Sequence, residues 1–159
     1  MAKKRKKKNL PEVELEEEFE QKLLDLARVT RVTAGGKNLR FRACVAAGNR
    51  KGKVGIGVAK GSDVAIAIDK AVKEAKKNLI EVPIINDTIP HWIKEKYGAA
   101  EILLRPAVRG KGIIAGGVIR IIAELAGIKN ITAKMLGSQN KIANARATIN
   151  ALQKFKKRT

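Results

Sequence analysis

Residues 28–61, RVTRVTAGGKNLRFRACVAAGNRKGKVGIGVAKG, constrain the fold of this chain more than any other stretch. Between 39 and 47, Leu39, Phe41, Ala43, Val45 and Ala47 alternate with Arg40 and Arg42, which predicts a half-buried strand with its cations on the solvent side. In the next run Val54, Ile56 and Val58 are expected to point inward and Gly55 and Gly57 outward, leaving bare backbone for a ligand or another element to approach. Segments 34–38 and 48–53 carry the glycines and asparagines of tight turns. The whole stretch holds nine Lys or Arg and no Asp or Glu. Ordinary surfaces mix both signs of charge, whereas a field of one sign attracts an opposite partner, here a polyphosphate.

The distribution of charge supports this. The chain has a formal net charge of +19, and residues 1–20 contribute nothing to it, because they hold six basic and six acidic side chains. All the excess lies in the body, which points to nucleic acid or an anionic membrane surface. Only 3% of residues are aromatic, so the core must be aliphatic and recognition by a row of stacking rings is not expected. No apolar run approaches the roughly 20 residues that span a bilayer. The basic start MAKKRKKK lacks a secretory apolar segment, so a cytoplasmic location is expected. A lone cysteine, Cys44, allows no internal disulfide and reads as a small core filler.

In chain order, residues 1–20 form a charged arm expected to be flexible. Residues 19–32 fit either a helix, through Phe19, Leu23 and Leu26, or a strand, and the β-branched residues at 30–33 favour strand for the later half. Ser62 and Asp63 start a helix with Val64, Ile68, Ala71, Val72, Ala75 and Leu79 on one face and Lys70, Lys73 and Lys77 on the other. The segment VPIINDTIP, 82–90, is a connection containing a short extended piece. A hairpin over 89–96 and 100–105 follows, and then an apolar helix whose buried side is Ile113, Ile114, Val118, Ile121, Ile122 and Leu125, stopped by Gly127. A strand at 130–136, a GSQN turn and a helix over 141–156 complete the chain. The expected fold class is α+β, built as two small α/β modules, β-β-β-α over 21–84 and β-β-α-β-α over 88–159 with a basic tail.

Catalytic chemistry finds little support. Gly110, Gly112 and Gly116 give Gly-x-Gly-x-x-x-Gly, one residue too long for a dinucleotide fingerprint, and the Gly-Lys-Ser/Thr of a phosphate loop is absent. Arg109 and Lys111 in that loop, beside a helix start, suit a backbone phosphate of RNA instead. The single His, His91, has no metal-ligand or triad companions and reads as structural. The expectation is a non-enzyme without cofactor, metal or small-molecule substrate.

The strings RVTRVTAGGK, GKVGIGVAKGSDVAIAIDKAVKEAKKNLI, TIPH, YGAAEILLRPA, GKGIIAGGVIR and LGSQNKIANARATINAL, in this order, closely resemble the bacterial-type ribosomal protein five family of the small subunit over nearly all of 19–155. The resemblance implies a first module related to double-stranded-RNA-binding domains without their first helix, which favours strand at 23–33. It implies a second module sharing its fold with a translocation-factor domain and some small-molecule kinases. It further implies binding of small-subunit ribosomal RNA near the junction of head and body, contacts with ribosomal proteins four and eight, and a part in translational accuracy. The family loop matching 30–37 reaches the neck beside the spectinomycin site; Ala34 stands where lysine is common there, so Gly35, Gly36 and Lys37 are the residues carried over. Gly112 and Arg120 match positions at the interface with protein four where changes alter decoding accuracy. The family usually has an acid in the loop where this chain has Arg109 and Lys111.

The residues expected to contact RNA are thus Arg28, Arg31, Lys37, Arg40, Arg42, Arg50, Lys51, Lys53, Lys60, Arg109 and Lys111, with Gly35 and Gly36 admitting the backbone. Two other functions remain open: a free-standing regulator that binds duplex RNA by shape, about 16 base pairs per module, and, through the kinase kinship, a nucleotide-dependent phosphotransferase.

Overall fold

A computed structural model describes residues 18–155; the expected arm over 1–20 falls almost wholly outside them, as does the end of the basic tail. Three long antiparallel strands come first: β1 (Glu20–Thr33), β2 (Gly36–Gly48) and β3 (Lys53–Gly61). The helix α1 (Val64–Lys77) and a two-residue strand β4 (Ile80–Glu81) follow, giving sheet order β1-β2-β3-β4. The second sheet contains β5 (Ile93–Tyr97), β6 (Ala100–Pro106), β7 (Ile113–Ile114) and β8 (Ile131–Met135) in the order β5-β6-β8-β7. Two helices complete it, α2 (Gly117–Ala126) and α3 (Lys141–Gln153). The chain is α+β with two α/β modules, as its sequence implies.

The layers run α1, first sheet, α2 with α3, second sheet, and this order revises the reading of β2. Ala43 and Val45 pack with Ala67 and Ala71 of α1, while Cys44 and Ala46, on the opposite face, join the core that α2 and α3 share with both sheets. Both faces of the inner half of β2 are therefore covered, and the unbroken run ACVAA is the signature of a doubly buried strand rather than a half-buried one. Burial pushes the Cys44 thiol up to about 11, which keeps it protonated and inert at neutral pH.

The glycines of β3 are likewise not on an open face. A Cβ on Gly55 would lie 2.5 Å from the Ala75 carbonyl oxygen, one on Gly57 2.6 Å from the Ala75 amide nitrogen and closer still to the Ala71 oxygen, and one on Gly61 2.7 Å from the Ala67 amide. Three glycines thus seat the alanine ridge Ala67, Ala71 and Ala75, one turn apart on α1, directly on the strand. Val54 and Ile56 face the other way, into the central core. Asp63 caps the helix as expected, accepting from the Val64 amide at 2.7 Å, and Lys70, Lys73 and Lys77 are exposed.

In the second module Ile113 and Ile114 form the parallel strand β7, not the start of a helix, because α2 begins only after the extended Gly116. The buried side of α2 is Val118, Ile119, Ile122, Ala123, Leu125 and Ala126, with Ile121 only partly buried. Gly127 stops the helix in the left-handed region (φ 88°), its amide reaching the Glu124 carbonyl while that of Ile128 reaches Ala123, the paired bonds of a Schellman motif. The hairpin's first strand starts at Ile93, later than expected. His91 stays outside it with its ring edge-on to Phe155 at 5.1 Å, a structural role. Short strands such as β4 and β7 carry too few residues for periodicity to show them.

The modules interlock through the turn at 48–53. Arg50 and Gly52 donate their amides to the Leu125 and Ala126 carbonyls, at 2.9 and 2.8 Å, and Gly127 leaves no room for a Cβ beneath the Arg50 carbonyl. Lys22 Nζ reaches Glu124 Oε2 at 2.9 Å, and Arg120 Nε lies 3.4 Å from the other carboxylate oxygen. The hydrogen bond from Lys22, more than any other cause, holds the Glu124 carboxyl below its ordinary value of 4.5, and that from Arg50 does the same for Glu20. A carboxylate with a lowered folded-state pKa contributes stability that is complete above the unfolded value and disappears as pH falls through the folded one. Glu124→Gln is accordingly expected to reduce the loss of thermal stability below about pH 4.5, and to cost less than about 1 kcal/mol at neutral pH because the pair is solvent-screened. Thermal unfolding across pH checks this: an acid limb unchanged in the variant removes Glu124 as its source.

Candidate nucleic-acid interface

The antiparallel register of β1 and β2 carries the pair well past the core. Every residue from 30 to 40 is exposed, and the strands close at a two-residue turn of Ala34 and Gly35. Gly36 has a φ of +136°, which favours glycine, and the Thr33 hydroxyl donates to its carbonyl at 3.0 Å. Nothing lies within 4 Å of where a Cβ on Gly35 or Gly36 would be, so the tip presents bare backbone to the solvent.

Register also sorts the cations. Cross-strand partners share a face, so Val29↔Arg40, Arg31↔Asn38 and Arg42↔Lys60 put Arg31, Arg40, Arg42 and Lys60 together. Arg28↔Phe41 and Val32↔Lys37 put Arg28 and Lys37 on the other side, the side of α1. The expected basic surface is therefore two surfaces. The first contains a shallow cleft of about 220 Å³ lined by Val29, Thr30, Arg31, Thr33, Asn38, Arg40 and Lys60. It lies on the face that α2 and α3 cover farther along the strands, so it opens beside the second module.

The cations also differ in how far neighbouring acids occupy them. Arg31, Arg40 and Lys60 make no ion pair among the described residues, nor do Arg28, Lys37 and Lys51. Arg42 is half-buried 3.9 Å from the Asp25 carboxylate, and its Nε has no hydrogen-bond partner. Arg50 is held by both oxygens of Glu20, its Nη2 donating at 3.0 Å, and its backbone belongs to the seam between modules. Lys53 is also on that turn, which the Asn49 side chain organises by accepting from the Lys51 and Lys53 amides. Unlike Arg31, Arg40 and Lys60, Arg50 must give up a carboxylate before it can bind a phosphate.

The loop between β6 and β7 is a separate site. Gly110 and Gly112 have φ values of +89° and +75°, and the Gly112 amide donates to the buried Asn130 side chain at 3.0 Å. Strand β7 separates this turn from the first residue of α2, so Arg109 and Lys111 do not directly precede a helix start as the sequence suggested. Asp87 governs Arg109 instead. It sits with Asn86 in a turn where both have positive φ, its carbonyl accepts from the Lys129 and Asn130 amides, and its carboxylate lies 3.9 Å from Arg109 and 3.7 Å from Lys129. Gly112 is thus fixed in this loop, and Arg120 stands on α2 at the Glu124 ion pair, on a different element.

The sequence reading did not single out Thr33 and Asn38 in the cleft, nor Asp87 and Asn130 in the loop. The only signal for Asn38 is register, since it becomes a cleft residue by facing Arg31. Among the described residues no three His, Cys, Asp or Glu side chains come together as metal ligands, and no helix is long and apolar enough to cross a membrane.

Comparison with known proteins gives a consistent result. The family described as ribosomal protein S5, N-terminal domain, matches residues 19–83, and that described as ribosomal protein S5, C-terminal domain, matches residues 95–159. Small ribosomal subunit protein uS5 of Thermotoga neapolitana is 53% identical over 139 residues, covering 87% of this chain and 78% of that one. Small ribosomal subunit protein uS5c of Rhodomonas salina is 49% identical over 157 residues, 98% of this chain and 92% of its own.

Proposed function

Because this chain belongs to the ribosomal protein S5 family, we propose that it is a structural, non-enzymatic constituent of the small ribosomal subunit that binds ribosomal RNA through the β1–β2 hairpin. The observation that carries the RNA reading is the cleft in which Arg31, Arg40 and Lys60 converge without a described acidic partner on a projecting hairpin. Cations left unpaired by the protein can replace the counterions of a phosphate backbone, and bare backbone at Gly35 and Gly36 lets the hairpin tip approach closely. Phosphate contacts position a protein without reading sequence, which suits a scaffold role.

The finer reading rests on family resemblance together with this geometry. The hairpin reaches RNA near the junction of head and body and helps to hold the head, and Arg109 and Lys111 of the β6–β7 loop add RNA contacts. Gly112 of that loop and the α2 residue Arg120 face ribosomal protein four, where accuracy is tuned, and ribosomal protein eight is a further neighbour. The rigid seam between the modules supports that reading, because a strut must transmit force between its ends without bending. Work on a cytoplasmic particle is part of the same proposal.

Sedimentation of a lysate containing the tagged chain tests it. The chain is expected to run with the small subunit and to remain there at moderate salt. Recovery with free protein, or on generic duplex RNA away from the subunit, would favour the free-standing regulator, and salt-resistant nucleotide binding with phosphate transfer would favour the phosphotransferase.

A further inference from the structure

The second sheet has one face that nothing in the proposed function uses. Its inner residues, Ala100, Ile102, Leu104, Ile131 and Ala133, are buried against the helices. By register the outer face carries the rows Lys94↔Leu103↔Lys134 and Arg105↔Thr132↔Ile114. No described element covers it. Trp92 is 63% exposed and Ile114 50% exposed, although this is the only Trp in a chain poor in aromatic residues. An exposed indole offers a large, rigid apolar face with a polar edge, the kind of surface on which a flat ligand can stack.

The surroundings of the ring indicate its partner. Trp92, Arg105 and Pro106 line a shallow cleft of about 340 Å³, with Arg105 at the position that continues the β5–β6 register opposite Trp92. Around it the face presents Lys94, Lys96, Arg105 and Lys134 against one acid, Glu101, which pairs with Lys94 at 3.0 Å. Lys96, Arg105 and Lys134 have no acidic partner among the described residues. A flat π-surface surrounded by unpaired cations complements an unpaired nucleotide, whose base stacks and whose flanking phosphates meet the charges. An apolar peptide would leave those cations unanswered.

We propose that the outward face of the second sheet is a single-stranded RNA platform on which one unpaired base stacks against Trp92, with Arg105 and the neighbouring lysines holding the adjoining phosphates. This rests on the reading of the chain as an RNA-binding protein, but it concerns a different face and a different RNA conformation from the hairpin cleft. Stacking is tolerant of base identity, so the platform selects unpaired RNA over duplex and not one sequence over another.

Because Trp92 is the only Trp, its fluorescence reports this face alone. The full chain is titrated with a short single-stranded RNA of mixed sequence and with a matched duplex. Saturable quenching by the single strand, and much weaker quenching by the duplex, is expected. Trp92→Ala should weaken single-strand binding about tenfold, and Trp92→Phe, which retains a π-face, should restore most of it. Neither variant should move the unfolding midpoint, since the ring is mostly exposed. Unchanged emission at RNA saturation, with binding lost on substitution of Arg31, Arg40 and Lys60, overturns the platform and leaves the hairpin reading intact. Failure to bind any RNA overturns both. A blue-shifted emission on adding polyglutamate, with none of the quenching by RNA, overturns it in favour of an acidic protein partner.

Discussion

Gly57→Ala is expected to destabilise the protein by about 3 kcal/mol or more, at the upper end of what overpacking a core costs. The added methyl would fall within 2.6 Å of the Ala75 amide nitrogen and nearer still to the Ala71 carbonyl oxygen. Both atoms are helix backbone, so no flexible side chain can swing aside, and α1 must lift off β3 along its alanine ridge. For a chain of this size the midpoint should fall by roughly 6–12 °C. Gly35→Ala is the control, since that position has open space around it, and should change the midpoint little. Thermal or urea unfolding of both variants reads the difference. A Gly57→Ala protein as stable as its parent would mean that α1 does not sit on β3 as described.

The combined replacement Arg31→Ala, Arg40→Ala and Lys60→Ala should weaken RNA binding on the order of a hundredfold at moderate salt and lower the slope of log K against log salt by about two to three, close to one unit for each lost phosphate contact. The fold should survive, because all three side chains are exposed on the hairpin or beside it. Arg50→Ala provides the contrast. Its guanidinium is already held by Glu20, so its removal should scarcely change the salt slope while loosening the turn that touches α2. Filter binding or fluorescence anisotropy over a salt series measures both. If the triple variant keeps the parental slope, the cleft is not the phosphate contact.

Much of the fold was legible because short-range rules wrote it. The strand over 39–47, the tight turn at 34–35, the Asp63 cap and the Gly127 stop each depend on residues a few positions apart, and each appears where its pattern places it, although the strand is buried on both faces along its inner half. The errors share a cause as well. Gly55 and Gly57 read as an open face because nothing local reveals that α1 returns to cover them, although the alanine spacing in α1 matches those glycines once the two are juxtaposed. Ile113 and Ile114 read as helix because two apolar residues before a glycine pair suit either state, and pairing with β8, seventeen or more residues later, decides between them.

The candidate site divides in the same way. Its chemical character, a basic surface made of Arg and Lys, is a property of composition and of how the charges are distributed along the chain, and the amino-acid sequence determined it without help. The sequence also determined two α/β modules, an aliphatic core and the elements that carry each cation. Only the tertiary structure decided which cations act together, since Arg31 meets Arg40 and Lys60 through strand register while Arg28 and Lys37 turn to the opposite face. Only it decided that Arg50 is occupied by an acid thirty residues away and Lys22 by one beyond a hundred. The physical reason is that propensity, capping and periodicity act over a few residues, whereas burial of both faces of a strand and the pairing of distant charges depend on which surfaces the folded chain brings into contact.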